Sequence, residues 1–197
     1  MGARQGGIAA VTVAFRGVLV DLDAAEEALV YELARRHGQA PMDRGRALAR
    51  RLRALAVELG GVAPAVDALA AERGFRWAPP GSDAVARLAV ACRTLAGVPT
   101  LLERLEAPVV VVATAEPALV DSALRPLDGA FAAVVCARSA RGALRAALAR
   151  TDAAADRVVH VARDPAELRV AAALGMRVAP PAELSRLALG APLAAAS

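Results

Sequence analysis

The chain has 197 residues, of which 57% are hydrophobic and 3% aromatic, and its formal net charge is +4. That length and hydrophobic content suffice for the buried core of one ordinary domain, with or without an inserted lid. All 24 basic residues are arginines spread among acidic residues, and aromatic side chains that could stack on bases are scarce, so no nucleic-acid partner is expected. Charged residues interrupt every apolar run, and the first residues lack a signal-peptide core, which predicts a cytoplasmic protein with no membrane partner.

The first predicted strand covers residues 8–15 and leads into a glycine turn. Its apolar run from Val11 to Phe15 is rich in β-branched residues, which is typical of a buried strand. Gly17 then lets the backbone turn sharply, because glycine tolerates conformations closed to other residues. A second apolar run ends at Asp21, just before a helical pattern begins.

Residues 22–95 contain helical patterns and no convincing strand. Apolar residues recur there at three- and four-residue spacings, and glycines or prolines separate the segments. The predicted helices cover about residues 24–36, 43–59 and 64–73, and a fourth begins near Ser82-Asp83, a pair that offers an N-terminal cap.

From about residue 98 onward, helices alternate with short apolar strands. The predicted strands are 108–114, 132–136, 158–161 and 176–178. The predicted helices are 98–106, 116–124, 140–150, 165–174 and 181–189. Strand 108–114 is too apolar to face water, which is typical of a strand covered on both sides. This alternation predicts an α/β fold with a Rossmann-like parallel sheet, helices on both faces and right-handed crossovers.

The first strand is expected to join that sheet, so that the helical segment becomes an insertion. The predicted division is an α/β core domain of residues 1–21 and 96–197 and an all-α cap domain of residues 22–95. An open α/β sheet binds its ligand beyond the carboxyl ends of its strands. We therefore expect the functional site at that edge, with the cap above it.

The turn after the first strand resembles the first motif of the haloacid dehalogenase-like (HAD) superfamily, a strand followed by Asp-x-Asp-Gly-Thr-Leu-Val-Asp. The residues that match this pattern are Phe15, Gly17, Leu19, Val20 and Asp21. Two positions depart from it. Ala14 stands where the family has its nucleophile, and Arg16 where it has its general acid/base.

Later segments resemble the other motifs of the family, again without most of their reactive groups. Thr114 follows an apolar strand and matches the Thr of the second motif. Arg138 and Arg141 lie where the third motif has its Lys, and which of them is the equivalent stays open. The acids of the fourth motif hold magnesium in the family, and here Arg163 stands at the first acid and Glu167 at the second.

The resemblance implies a hydrolase, phosphatase or dehalogenase fold, but these substitutions argue against its chemistry. The methyl group of Ala14 cannot form the covalent aspartyl intermediate. Magnesium needs oxygen ligands, whereas Arg16 and Arg163 would place positive charge where the ion would bind. An arginine also stays protonated, so Arg16 cannot act as a base. We therefore expect a catalytically degenerate, metal-independent pseudoenzyme with no magnesium and no other cofactor.

Two interpretations of the remaining polar residues stay open. In the first, arginine forks and a helix N-terminus bind a phosphate or carboxylate, with contributions from Arg16, Thr114, Arg138, Arg141 and Arg163. In the second, Arg16 and Arg163 form ion pairs with nearby acids and seal the former site. The acids available for that are Asp21, Asp164 and Glu167.

Two classes of function follow. The first is a non-catalytic binding, regulatory or scaffolding protein that acts through its cap or its Arg-lined former active site. Its partner would be an unidentified protein, a small anion or a second copy in a homodimer. The second is a divergent enzyme of the same fold, a hydrolase or one with repurposed chemistry, that uses residues other than the family's Asp pair. His160 lies on an apolar strand and is interpreted as a hydrogen-bonded interior residue, not as a catalyst.

Overall fold

Five apolar segments form a parallel sheet in the computed structural model, which describes residues 7–36, 42–75 and 80–189, and only the backbone of residues 42–44. The strands are β1 (Ala10–Ala14), β2 (Val109–Ala113), β3 (Ala133–Cys136), β4 (Val158–Val161) and β5 (Arg177–Ala179). Valine dominates them because its stiff β-branched side chain packs well on a pleated surface. The strand order β3-β2-β1-β4-β5 places β1 at the centre.

The helices follow the strands in the alternation that the sequence predicts. They are α1 (Leu22–Arg36), α2 (Met42–Leu59), α3 (Val62–Arg73), α4 (Gly81–Ala91), α5 (Val98–Glu103), α6 (Pro117–Leu124), α7 (Ala140–Thr151), α8 (Pro165–Ala173) and α9 (Leu184–Ala188). Short 3-10 turns occupy Arg125–Leu127, Ala155–Arg157 and Pro181–Glu183.

Both faces of the sheet are covered. On one face, Val110 of β2 and Val158 of β4 belong to a core cluster with Leu144 of α7, and α8 packs beside them. Their neighbours Val111 and Val159 point to the opposite face and are fully buried as well. Because the centre of such a parallel sheet leaves no wet face, the central strands are largely apolar. The predicted α/β Rossmann-like fold class is confirmed.

By its contacts the chain divides into two compact units. One contains the described residues of Met1–Leu19, Leu95–Thr114 and Pro126–Ser197, and so holds the sheet. The other contains Val20–Thr94 and Ala115–Arg125. Within this helical unit α2 packs against α1 and α3, while α4 packs against α1, α3 and α6.

The helical unit includes α6, a segment that the predicted division leaves in the α/β core. Glu116, just before α6, reaches the start of α3, where its Oε1 accepts a hydrogen bond from the backbone N–H of Ala63 at 3.3 Å. A carboxylate at a helix N-terminus satisfies unpaired amides and meets a favourable dipole. This contact, together with the packing of α6 on α4, joins the segment to the helical unit.

The start of α4 corrects one local prediction. The Ser82-Asp83 pair does not cap this helix, which begins one residue earlier, at Gly81. The backbone N–H of Gly81 instead donates to Asp67 Oδ1 of α3 at 3.0 Å. A Cβ at Gly81 would lie 2.1 Å from the carbonyl oxygen of Ala63, so only glycine allows this approach.

Other boundaries move by small amounts. The helix predicted at 98–106 ends at Glu103, and the one predicted at 181–189 is a 3-10 turn followed by the short α9. Among the described residues, no helix combines the length and the apolar character needed to cross a bilayer.

Candidate functional site

The carboxyl edge of the sheet brings the predicted site residues together. Arg16 follows β1, Thr114 follows β2, Arg138 follows β3 and Arg163 follows β4. These four strands are neighbours and run in the same direction, so their carboxyl ends share one edge. This is the edge at which open α/β sheets bind ligands.

Ala14 ends the central strand and carries no reactive group. It pairs with Val112 of β2 and is 1% exposed. Its methyl group is therefore buried at the carboxyl end of the central strand. The sequence comparison with the HAD motif places the nucleophile here, and nothing at this position can attack a substrate.

The turn after β1 is built around Gly17 and touches Arg163. Gly17 has φ 74°, a left-handed conformation that favours glycine. A Cβ placed on it would lie 3.2 Å from Cδ and 3.3 Å from Cβ of Arg163. The aliphatic stem of Arg163 thus lies directly over this turn, next to the half-buried Arg16.

The acids beside Arg163 are directed elsewhere. Asp164 caps α8, because its Oδ1 accepts a hydrogen bond from the backbone N–H of Ala166 at 2.8 Å. Glu167 turns inward, and its Oε1 lies 3.3 Å from Nε2 of His160. Within residues 7–36, 42–75 and 80–189, neither acid forms an ion pair with the exposed guanidinium of Arg163.

The third acid proposed from the sequence is also engaged. The Oδ1 atom of Asp21 accepts a hydrogen bond from the backbone N–H of Ala24 at 3.1 Å, so Asp21 caps the first turn of α1. Such a cap satisfies an amide that the helix itself cannot pair. Asp21, like Asp164, thus serves the start of a helix.

The segment after β3 supplies two more arginines and a helix N-terminus. Ser139 caps α7, with its Oγ accepting from the backbone N–H of Gly142 at 3.2 Å. Arg138 precedes this cap, Arg141 lies in the first turn of the helix, and both are exposed. Thr114, at the end of β2, is exposed too. Which arginine corresponds to the family's Lys stays open.

His160 is an interior residue, as predicted, and the structure identifies its neighbours. It is fully buried, and its Nδ1 lies 2.9 Å from Oγ1 of Thr12 on the adjacent strand. Its Nε2 lies 3.3 Å from Oε1 of Glu167, but the two atoms do not form a hydrogen bond. The sequence could not reveal the Thr12 partner, because their juxtaposition depends on the register of β1 and β4.

The site does not fit magnesium, the ion that the fold family implies. Of the positions expected to hold it, Ala14 has no side-chain ligand atom, and the side chains of Arg16 and Arg163 are cationic donors. Glu167, at the second acid, is the one carboxylate among them, and it faces the buried His160. In the described part of the chain, no group of three His, Cys, Asp or Glu side chains could hold a metal ion.

The parallel sheet, its strand order and the helical insertion after β1 define a haloacid dehalogenase-like fold. The chain resembles the L-2-haloacid dehalogenase of Xanthobacter autotrophicus, solved with chloropropionic acid covalently bound, with a TM-score of 0.68 and 17% identity over 93% of this chain and 81% of that one. It also resembles a candidate beta-phosphoglucomutase from Thermotoga maritima, with a TM-score of 0.67 and 14% identity over 92% and 98% of the two chains. A candidate HAD-hydrolase from Bacillus subtilis, YfnB, in a magnesium-bound form, has a TM-score of 0.70 and 13% identity over 87% of each chain.

No protein-family model matches the sequence, and no curated protein matches it either. At identities of 13–17% the structural likenesses establish the fold alone. The recognition of a HAD-like fold from the sequence is confirmed.

Proposed function

We propose that this chain is a non-catalytic HAD-like protein that binds a small anion at the carboxyl edge of its sheet. The observation that supports the proposal is that alanine and arginine stand at that edge where the fold family has acids. Ala14 ends the central strand where the family has a nucleophile, while Arg163 lies over the adjoining turn at Gly17. Among the described residues, this edge offers guanidinium donors, and its acids Asp164 and Glu167 have structural contacts.

The chemistry of these groups favours binding over turnover. A guanidinium presents parallel N–H donors that match a carboxylate or phosphate and stays protonated at every accessible pH. Arg138 and Arg141 flank the N-terminus of α7, whose first amides are suited to the same anions. Magnesium has no role in this proposal, because an anion held by arginines needs no bridging cation.

The contacts of the nearby acids favour an anion site over a site that is sealed by ion pairs. Asp164 caps α8 and Glu167 faces His160, so the cation of Arg163 is left for an external anion. A divergent enzyme, the alternative suggested by catalytic neighbours of the same fold, would need one of these carboxylates, or that of Asp21, as a general acid or base. All three are engaged in structural contacts.

The physiological ligand would be a free small anion or an anionic group on a protein partner. In both cases the chain acts as a binding or regulatory subunit, and self-association into a homodimer is a further form of the same class. Purification from the native host separates these alternatives, because a stoichiometric second protein, a bound small anion and a dimer are distinguishable by native mass spectrometry.

Titration calorimetry with inorganic phosphate tests the anion site. We expect Arg163→Ala to weaken phosphate binding about tenfold, the usual scale for a charge-assisted contact. Arg150→Ala is the matched control, because Arg150 is equally exposed but lies in the last turn of α7, away from the carboxyl edge. Absence of phosphate binding by the unaltered protein, or equal weakening by both variants, would contradict the proposal.

A further inference from the structure

The loop that carries Arg163 is closed by a contact between its two ends. His160 of β4 precedes the loop, and Glu167 in the first turn of α8 follows it. Their side chains meet at 3.3 Å, between Nε2 and Oε1. Residues 161–166, which run from the end of β4 through a short loop into α8, therefore form a segment held at both ends, with Arg163 inside it.

Both members of the contact are held from the interior of the sheet. His160 is 0% exposed, and Oγ1 of Thr12, equally buried, lies 2.9 Å from its Nδ1. The imidazole is thus placed between a hydroxyl and a carboxylate. The Glu167 side chain is only 17% exposed, so it is withdrawn from the solvent that surrounds Arg163.

The contact with Glu167 ties the start of α8 to β4. Oγ1 of Thr12 lies 2.9 Å from Nδ1 of His160 and 3.4 Å from the carbonyl oxygen of Val159, to which its hydroxyl can donate. On the other side of the ring, Nε2 lies 3.3 Å from Oε1 of Glu167 without forming a hydrogen bond. The contact is attractive when Nε2 carries a hydrogen, because a carboxylate oxygen is an acceptor. An unpaired carboxylate at this depth would be costly, so the contact favours one position of the α8 start.

A hydroxyl, an imidazole and a carboxylate in this order also occur where a nucleophile is activated. Here that role is excluded, because Thr12 is 0% exposed in the middle of the central strand and no substrate can reach its Oγ1. We therefore assign these three side chains a structural role.

We propose that His160 and Glu167 are positioning residues for the anion site. Their contact sets the path of residues 161–166, and this path places the stem of Arg163 over Gly17, where a Cβ would lie 3.2 Å from its Cδ. The inference rests on the proposed anion site. In this inference Glu167, whose carboxylate faces the buried His160, holds in place the arginine that contacts the anion.

Phosphate titration of Glu167 variants tests the positioning role. Glu167→Ala, which removes the contact, should weaken phosphate binding about fivefold or more, as loss of a supporting partner does at other binding sites. Glu167→Gln keeps the size and a polar group next to His160 and should restore most of the affinity. Unchanged affinity in Glu167→Ala, or no rescue by Glu167→Gln, would overturn the inference.

A matched control separates positioning from loss of stability. Leu148→Ala removes packing from the core cluster that contains Val110, Val158 and Leu144, and Leu148 lies in the last turn of α7, away from the carboxyl edge of the sheet. It should lower the urea midpoint and leave the phosphate affinity unchanged. If it weakens phosphate binding as much as Glu167→Ala does, the effect is general softening and the positioning role is wrong.

Nitrogen NMR of the imidazole rings adds a readout that stability alone does not move. The sequence has two histidines, and His160→Gln identifies the signal of His160 by its disappearance. Phosphate should shift the nitrogen signals of His160, because His160 lies in β4 just before the loop that carries Arg163. Unshifted signals at saturating phosphate would contradict the coupling.

Failure of the anion site can be told apart from failure of the positioning role. If Arg163→Ala leaves phosphate binding intact, the proposed anion site is wrong, whatever the Glu167 variants show.

Discussion

Single residues at the carboxyl edge carry the proposed function. Ala14, at the end of the central strand, has no group that could act as a nucleophile, and Arg163 places a cation at the same edge, where a magnesium ion would need anionic oxygens. In the proposed function, these two residues favour the binding of a negatively charged ligand over chemistry with a nucleophile and a metal.

Gly17 permits a residue-level prediction with a close control. Gly17→Ala forces a side chain into a left-handed conformation and against the Arg163 stem, so it should cost about 1–2 kcal/mol of stability and also weaken phosphate binding. Gly129→Ala has the same backbone penalty at φ 82° but meets nothing within 4 Å. Urea unfolding should show that Gly17→Ala destabilises at least as much as Gly129→Ala, and phosphate titration should show weaker binding only for Gly17→Ala. Equal phosphate affinities would contradict the contact.

The sequence predicts which residues lie at this edge of the sheet. It does not predict which side chains form hydrogen bonds or ion pairs with one another. Arg16, Thr114, Arg138 and Arg163 each follow an apolar run, which is sufficient to place them at one edge of a parallel sheet. The partners of the acids follow from three-dimensional contacts that no local pattern encodes. Glu167, for example, turns inward because β4 presents a buried His160 below it.

At the scale of elements, α2 and α3 are joined by an ion pair that makes their stability pH-dependent. Nε of Arg51 donates to Glu72 Oε2 at 3.1 Å, and this hydrogen bond lowers the pKa of the Glu72 carboxyl. A lowered pKa in the folded state means that the pair stabilises the fold above the ordinary glutamate pKa of about 4.3. The contribution disappears as the pH falls through the lowered value.

Glu72→Gln should therefore lower the urea midpoint of the helical unit at pH 7 and have little effect at pH 3 or below. The difference is expected to be small and to shrink with added salt, because both side chains reach solvent. Glu103→Gln, in α5, is the control and should show no such pH dependence. A Glu72→Gln effect that is equal at both pH values would contradict the assignment.

Element types are well predicted, whereas some of their ends are not. Helices with a clear apolar stripe and strands of consecutive valines appear where the periodicity places them, because burial of those side chains drives both patterns. The start of α4 differs because Asp67 of α3 supplies its cap, and Ser82 beside it is not needed. A cap that comes from another helix leaves no pattern in the sequence next to the helix that it caps.

For the whole molecule, the alternation of strands and helices after residue 98 is what made the fold predictable. A parallel sheet needs crossover helices, so the alternation predicts a sheet that β1 can join. Its central position in that sheet is seen only in the structure. The sequence division at residues 95 and 96 leaves out α6, which the contact-based units place with the helices through Glu116 and α4. A cytoplasmic location, an absent cofactor and an oligomeric state stay predictions.

The central claim is that this HAD-like chain binds anions at the carboxyl edge without transforming them. A phosphorus NMR time course of p-nitrophenyl phosphate with the purified protein and magnesium measures both properties in one sample. We predict that the ester signal shifts or broadens with added protein, less so with Arg163→Ala, and that no inorganic phosphate signal grows. Release of phosphate in proportion to protein, abolished by Asp164→Asn or Glu167→Gln, would contradict the claim.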